Sequence, residues 1–395
     1  MPDAVIASAA RSPVARAGKS LAHVHPVDLA VPVFQAALDR VGIEPGEVDD
    51  VIVGCVSQVG EQSWNIARNI ALASGWPESI PGTTVDRQCG SSQQAIAFAT
   101  ALVSSGLADV VVAGGVESMS RVPMGSSQGD QFPYGDTLRG RYAEKVDASA
   151  PLPFNQGVGA ELIAAEWDVT RAEMERFALE SHVKAASARD TGAFDREIVP
   201  IGDFRADEGI RETSLEKLAG LKPAFSPDGP ITAGVASQIS DGAAAVVVMS
   251  ERSAHRLKIE PMARVVDHVA VGSDPVKMLD GVVPATRKIL ERTGISLDHF
   301  GIFEVNEAFA PIPMMWQKAF RMDDEADARL LNPRGGAIAL GHPLGATGAR
   351  LTTSMLHYMQ DTGERYGLQV MCEGGGMANA TVYELYAAPS TGTNG

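Results

Sequence analysis

The sequence predicts an α/β fold of layered type, built from two similar halves. Two observations carry that prediction. Apolar strand-like runs alternate with helix-period segments, which is the pattern of sheets covered by helices. And the last third of the 395-residue chain echoes the first. EVDDVIVGCVSQ is echoed by HFGIFEVNEAFA, and ADVVVAGGVESM by LQVMCEGGGMAN. The segment around Cys89 is echoed by ALGHPLGATGARLTTSML. The offset is nearly constant, 252 from Val53 to Val305 and 253 from Cys89 to His342. Two true repeats would pack as a pseudo-symmetric pair, with Cys89 and His342 facing each other where they meet.

Taken in order, residues 3–9 and 50–56 read as buried strands. Residues 26–41 read as a helix, with Leu29, Ala30, Val33, Phe34, Ala37 and Leu38 on one face. Ser91 and Ser92 offer N-caps to an Ala-rich helix that Gly106 ends. ADVVVAGG follows as a continuous apolar strand of the doubly covered kind. Residues 121–158 are rich in Gly, Ser, Pro and Asp and lack periodicity. A helix is expected near 170–189, opened by a Thr170/Glu173 capping box. After another irregular stretch, DGAAAVVVMS restores a buried strand. The middle section therefore reads as an insertion of loops and helices.

Composition excludes several classes of function. The net charge of −16 repels nucleic acid and anionic membrane. No apolar run is long enough for a transmembrane helix, and the N-terminus lacks the pattern of a signal peptide. Three scattered cysteines form neither a disulfide framework nor a metal clip, which fits a cytoplasmic protein.

Four short segments could carry chemistry. Cys89 stands just before a helix N-terminus, where unpaired amides and the macrodipole favour a thiolate and a depressed pKa. Gly90, Ser91 and Ser92 leave room for a substrate. An inert small hydrophobe is the plainer reading of a lone cysteine. His342 lies between Gly341 and Pro343 on a glycine-rich loop, as a base for a thiol or as a satisfied loop histidine. Cys372 precedes three glycines whose amides suit either an oxyanion hole or a tight turn. Asn306 ends the strand FEV, where it could hold a water or cap a helix. Cys55 reads as core.

Together these blocks resemble the thiolase family. VDRQCGSSQQAI, GGVESMSRVPMG, ASQISDGAAAV, VNEAFAP, NPRGGAIALGHPLGATGAR and CEGGGMANA carry the resemblance, in order and over nearly the whole chain. It implies a thiolase-like α-β-α-β-α layering with an inserted loop domain. The halves would be 1–120 plus 238–260 and 261–395, with 121–237 as the CoA-binding insertion. The implied activity is thiolytic cleavage of 3-oxoacyl-CoA, or the reverse condensation, through an acyl-cysteine. Cys89 would be the nucleophile, His342 its base, and Cys372 the acid–base group at the enolate carbon. Asn306 would hold a water at the enolate oxygen. The amides of Cys89 and Gly374 would form an oxyanion hole. Ser237, Phe225 and Met278 match CoA-contacting positions, and Arg211 matches a phosphate contact.

CoA would be a co-substrate, with no permanently bound cofactor and no metal. The partners implied are acyl-CoA substrates and further copies of the chain, as a homodimer or homotetramer. Asn155-Gln156-Gly157 stands where acetoacetyl-CoA-forming members often carry His-Met-Gly. That favours longer or branched substrates over a biosynthetic acetoacetyl-CoA enzyme. A condensing enzyme on carrier-protein thioesters usually has histidine at the Asn306 position. A non-catalytic acyl-CoA binder would have lost Cys89, His342 or Cys372.

Overall fold

The computed structural model describes residues 3–129, 133–145, 154–322 and 324–386. Its strands are β1 (Ala4–Arg11), β2 (Ala15–Arg16), β3 (Asp50–Gly54), β4 (Gly82–Val85) and β5 (Val110–Ser118), then β6 (Ser240–Ser250), β7 (Ala263–Gly272), β8 (Phe300–Val305), β9 (Tyr366–Glu373) and β10 (Met377–Leu385). They form a mixed sheet in the order β4-β3-β5-β6-β1-β7-β10-β9-β8, with β2 paired to β6. The order is a palindrome in kind. β3 runs parallel to β4 and β5, and β8 runs parallel to β9. β6 and β10 are the long antiparallel strands of their halves. The halves join where β1 pairs with β7, at Val5–Arg264 and Ile6–Ala263. The echoes seen in the sequence thus fall on equivalent strands, β3 with β8 and β5 with β9.

β5 and β6 are buried along their whole length, as strands covered on both faces must be. The Pro26–Asp39 helix covers one face, and all six residues placed on its apolar stripe are fully buried. The helices Ser91–Ser105 and Thr347–Thr362 lie on the inner face and pack against each other. Val282–Thr293 covers β7 and β10 from outside. Outer helices, one half of the sheet, inner helices, the other half of the sheet and outer helices make five layers. The inner helices approach closely because small residues face one another: a Cβ on Gly348 would stand 2.4 Å from the Gln93 amide nitrogen.

The capping box of Thr170 and Glu173 is present, on a helix spanning Arg171–Asp190. Gly106 ends the Ser91–Ser105 helix in the left-handed region, at φ 76°. The expected serine caps differ. Gly90 is the N-cap, and the helix already begins at Ser91. The Ser91 hydroxyl accepts from the Arg87 amide at 2.9 Å and donates to the Gln88 carbonyl at 2.5 Å. The Ser92 hydroxyl accepts from the Ala349 amide of the partner helix at 2.9 Å. The hydroxyls hold the loop and the other half rather than the helix end.

The middle section is tied to β1 by a buried charge cluster. The Arg11 guanidinium donates to Glu197 at 2.7 Å and to both oxygens of Asp207 at 2.8 and 2.9 Å. All three side chains are fully buried.

Candidate active site

The Cys89 turn follows β4. Asp86 accepts from the Gln88 amide at 2.7 Å, and Gln88 adopts φ 49°. A short polar side chain bonded to the backbone two residues on is the usual means of holding such a bend. It lifts Cys89 out of the strand direction just before the helix. The thiol is almost fully buried. Two backbone amides, its own and that of Gly374, lie where they favour its thiolate. Gly374 lies in the β9–β10 hairpin, which also carries Cys372. The two sulfurs are near enough for the charge of Cys89 to act on Cys372.

The depressed thiol pKa expected of a helix N-terminus is not what the structure gives. Burial, followed by the charge of Glu373, pushes Cys89 up to about 12, and the two amides offset only part of this. Cys89 therefore rests as a thiol, and any attack by its sulfur would need a base. Burial likewise raises Cys372. Cys55 is buried core, as expected.

His342 is anchored by its backbone amide, which reaches the Gln238 carbonyl at 3.1 Å and the Ser240 hydroxyl at 3.2 Å. Its ring state follows from Thr347. The Thr347 hydroxyl donates its proton to the Pro343 carbonyl at 2.8 Å, so it can only accept from His342 Nδ1 at 2.6 Å. Nδ1 therefore carries the proton, and Nε2 presents a lone pair. That Nε2 has no partner among the described residues. Burial, with Arg350 nearby, lowers the His342 pKa to about 3 and keeps the ring neutral. Sequence reasoning missed Thr347. A hydroxyl five residues after a histidine gives no signal until the loop is folded.

A cavity of about 160 Å³ opens beside His342. Its walls include Met119, Gln156, Phe225, Ser237, Phe309 and Leu344. Met119 and Leu344 also pack against Cys89, so the cavity ends at the Cys89 loop. Phe225 packs edge-on against Phe309, with ring centroids 5.7 Å apart. It also fills the space in which a Cβ on Gly157 would clash at 2.2 Å.

The predicted site residues are thus partly gathered. Ser237 and Phe225 share the cavity wall with His342. Asn306 follows β8, and its amide donates to the Val370 carbonyl of β9 at 3.0 Å. Both polar atoms of its buried side chain are unpartnered among the described residues. It does not cap a helix, since the next one starts at Pro311. Met278 and Arg211 are not among the cavity walls. Met278 packs into the core beneath the C-terminal half, and Arg211 is exposed near Arg16. The room expected at Gly90 is also taken: a Cβ there would stand 1.9 Å from a Glu373 oxygen.

Comparison with known proteins agrees with this geometry. Residues 4–252 match the thiolase N-terminal domain and residues 259–385 match the thiolase C-terminal domain. The chain belongs to the thiolase family. It is 49% identical over 390 residues to the steroid 3-ketoacyl-CoA thiolase FadA6 of Mycobacterium tuberculosis, covering 97% of this chain and 94% of that protein. It is 41% identical over 397 residues to the 3-ketoacyl-CoA thiolase FadA of Escherichia coli K12, covering 97% and 100%. The crystal structure of the Bacillus anthracis acetyl-CoA acetyltransferase superposes with a TM-score of 0.88 at 40% identity, covering 98% and 99%. The chain is accordingly an acyltransferase with thiolytic activity that uses CoA as co-substrate. No helix among the described residues is long and apolar enough to cross a membrane.

Proposed function

We propose that this thiolase cleaves 3-oxoacyl-CoA with CoA, giving acetyl-CoA and a shortened acyl-CoA, and that Cys89 carries the acyl group. The observation that carries the reading is a buried thiol packed against Met119 and Leu344, the same residues that wall the cavity into which a neutral His342 presents a free Nε2 lone pair. His342 takes the Cys89 proton as sulfur attacks the 3-oxo carbon. The oxyanion that forms is received by the amides of Cys89 and Gly374, which already converge on the sulfur. The C2–C3 bond breaks, and Cys372 gives its proton to the departing enolate carbon. His342 and a water on Asn306 hold the enolate oxygen. CoA then attacks the acyl-enzyme and releases the shortened product, so the kinetics are ping-pong.

Ser237 and Phe225 are assigned to the pantetheine arm. The phosphate role of Arg211 and the CoA role of Met278 rest on the family resemblance alone, since neither residue lines the cavity. Residues 121–237 act as the CoA-binding insertion between halves 1–120 plus 238–260 and 261–395. The enzyme works in the cytoplasm as a homo-oligomer. Longer, branched or ring-bearing acyl chains are favoured. The wall of Met119, Phe225, Phe309 and Leu344 suits apolar bulk, and one relative is named for steroid substrates.

Labelling with iodoacetamide tests the core of this. Cys89 should react faster than Cys55 and be protected by acyl-CoA, and Cys89→Ala should lower kcat by about a thousandfold or more. Equal labelling of both cysteines, or turnover by the variant, would refute it. Thiolysis rates across short straight, long straight and ring-bearing acyl-CoAs test the substrate class. A sharp preference for acetoacetyl-CoA would favour the biosynthetic reading instead.

A further inference from the structure

The chemistry above leaves Glu373 without a part. It follows Cys372 at the end of β9 and is fully buried. Neither of its carboxyl oxygens has a hydrogen-bond partner among the described residues. Its place is set by the nucleophile loop, because the carboxyl fills the volume that a side chain at position 90 would occupy. Asn379 of β10 closes the same space, and its Nδ2 donates to the Gly90 carbonyl at 3.4 Å. The carboxyl is electrostatically coupled to Cys89 and to Cys372, and its charge raises both thiols.

The charged and titratable groups facing it are Asp86, Arg87 and Cys89 from the loop and Cys372 from its own strand. His268 of β7 lies beyond, beside Arg87. Burial disfavours the carboxylate most strongly, Arg87 favours it and Asp86 opposes it, leaving a pKa of about 9.

We propose that Glu373 is a positioning residue that governs the two sulfurs through its own proton: neutral, it props the Cys89 loop and permits a thiolate; ionised, it holds both sulfurs as thiols. It touches no reacting atom in this role. The physical cause is like-charge repulsion at short range in a poorly solvated site. This rests on the assignment of Cys89 as nucleophile.

The test measures Cys89 alkylation by iodoacetamide, together with kcat/KM for thiolysis, from about pH 6 to about pH 10. Glu373→Gln keeps the shape and removes the charge. Its rates should match the wild type at about pH 7 and exceed it by about tenfold at about pH 10. A merely structural role would shift the whole profile instead, and profiles that are parallel or superimposed overturn the proposal. Arg87→Met leaves Glu373 in place but removes the group that favours its ionisation, so it should extend the alkaline limb to higher pH. If Glu373→Gln fails to fold, an unshifted limb in Arg87→Met overturns the proposal alone. Labelled Cys89 with coincident profiles sinks only the role of Glu373. A Cys89 that labels at no pH sinks the nucleophile assignment, and this inference with it.

Discussion

His342 shows how one side chain depends on a neighbour that does no chemistry. Thr347 spends its proton on Pro343 and so fixes the imidazole with Nε2 as acceptor. Thr347→Val should remove that preference. We expect kcat to fall about tenfold to a hundredfold with KM little changed, within the usual worth of general-base catalysis. Steady-state thiolysis kinetics check this, and an unchanged kcat would remove Thr347 from the mechanism. Cys89 makes a second point at this scale. Its position before a helix was legible in VDRQCGSSQQAI, yet its thiol is raised rather than lowered. The backbone amides of Cys89 and Gly374 act in the lowering direction, but burial and the carboxyl of Glu373 outweigh them. Neither the burial nor Glu373, 284 residues further on, can be read from the local sequence.

Among elements, the contact that matters most is between the Ser91–Ser105 and Thr347–Thr362 helices. Each follows a loop that carries a site residue, so their spacing sets the distance between Cys89 and His342. Gly348→Ala would drive a methyl into the Gln93 backbone. The gain in helix propensity is about 1 kcal/mol, and overpacking costs about 1–3 kcal/mol. A lower Tm is expected, with a larger loss of kcat than the stability change alone explains. Thermal melts and assays below the transition would show it. The element pattern itself was largely legible. The Pro26–Asp39 helix, the capping box of Thr170 and the buried runs of β5 and β6 follow from period, cap chemistry and apolar continuity. The serine caps at 91 and 92 did not follow, because their hydroxyls had better partners outside the helix.

At the scale of the molecule, buried ionisable groups tie distant segments together and set the response to acid. Arg11 bridges β1 to Glu197 and Asp207 of the middle section with no solvent exposure. Arg11→Met would strand two buried carboxyls, and breaking one side of such a cluster costs about 3–5 kcal/mol. Denaturant unfolding should report a loss of that order. His342 has a folded pKa of about 3, and His182 and His268 of about 4, all depressed by burial. Their unfolded values lie near 6.5. The neutral forms are the folded ones, so stability is full above about pH 6.5 and is lost as pH falls toward those folded values. The slope is about 1.4 kcal/mol per pH unit for each histidine in that window. Glu304 and Glu373, raised to about 8 and about 9, act in the opposite direction over the same window. The histidine contribution is therefore read as the difference between the wild type and His182→Gln in melts from about pH 7 to about pH 4, and identical acid limbs would contradict it.

The sequence by itself determined the α/β class, the doubled architecture and the place of Cys89 in a loop before a helix. These are written in local period and in repeated segments, which survive without coordinates. Only the tertiary structure decided the chemical state of those residues. The proton on His342 Nδ1, the raised thiols and the carboxyl packed against Gly90 all arise between segments far apart in the chain. Burial and pairing across such distances are properties of the folded solvent-excluded interior, and no stretch of sequence contains them alone.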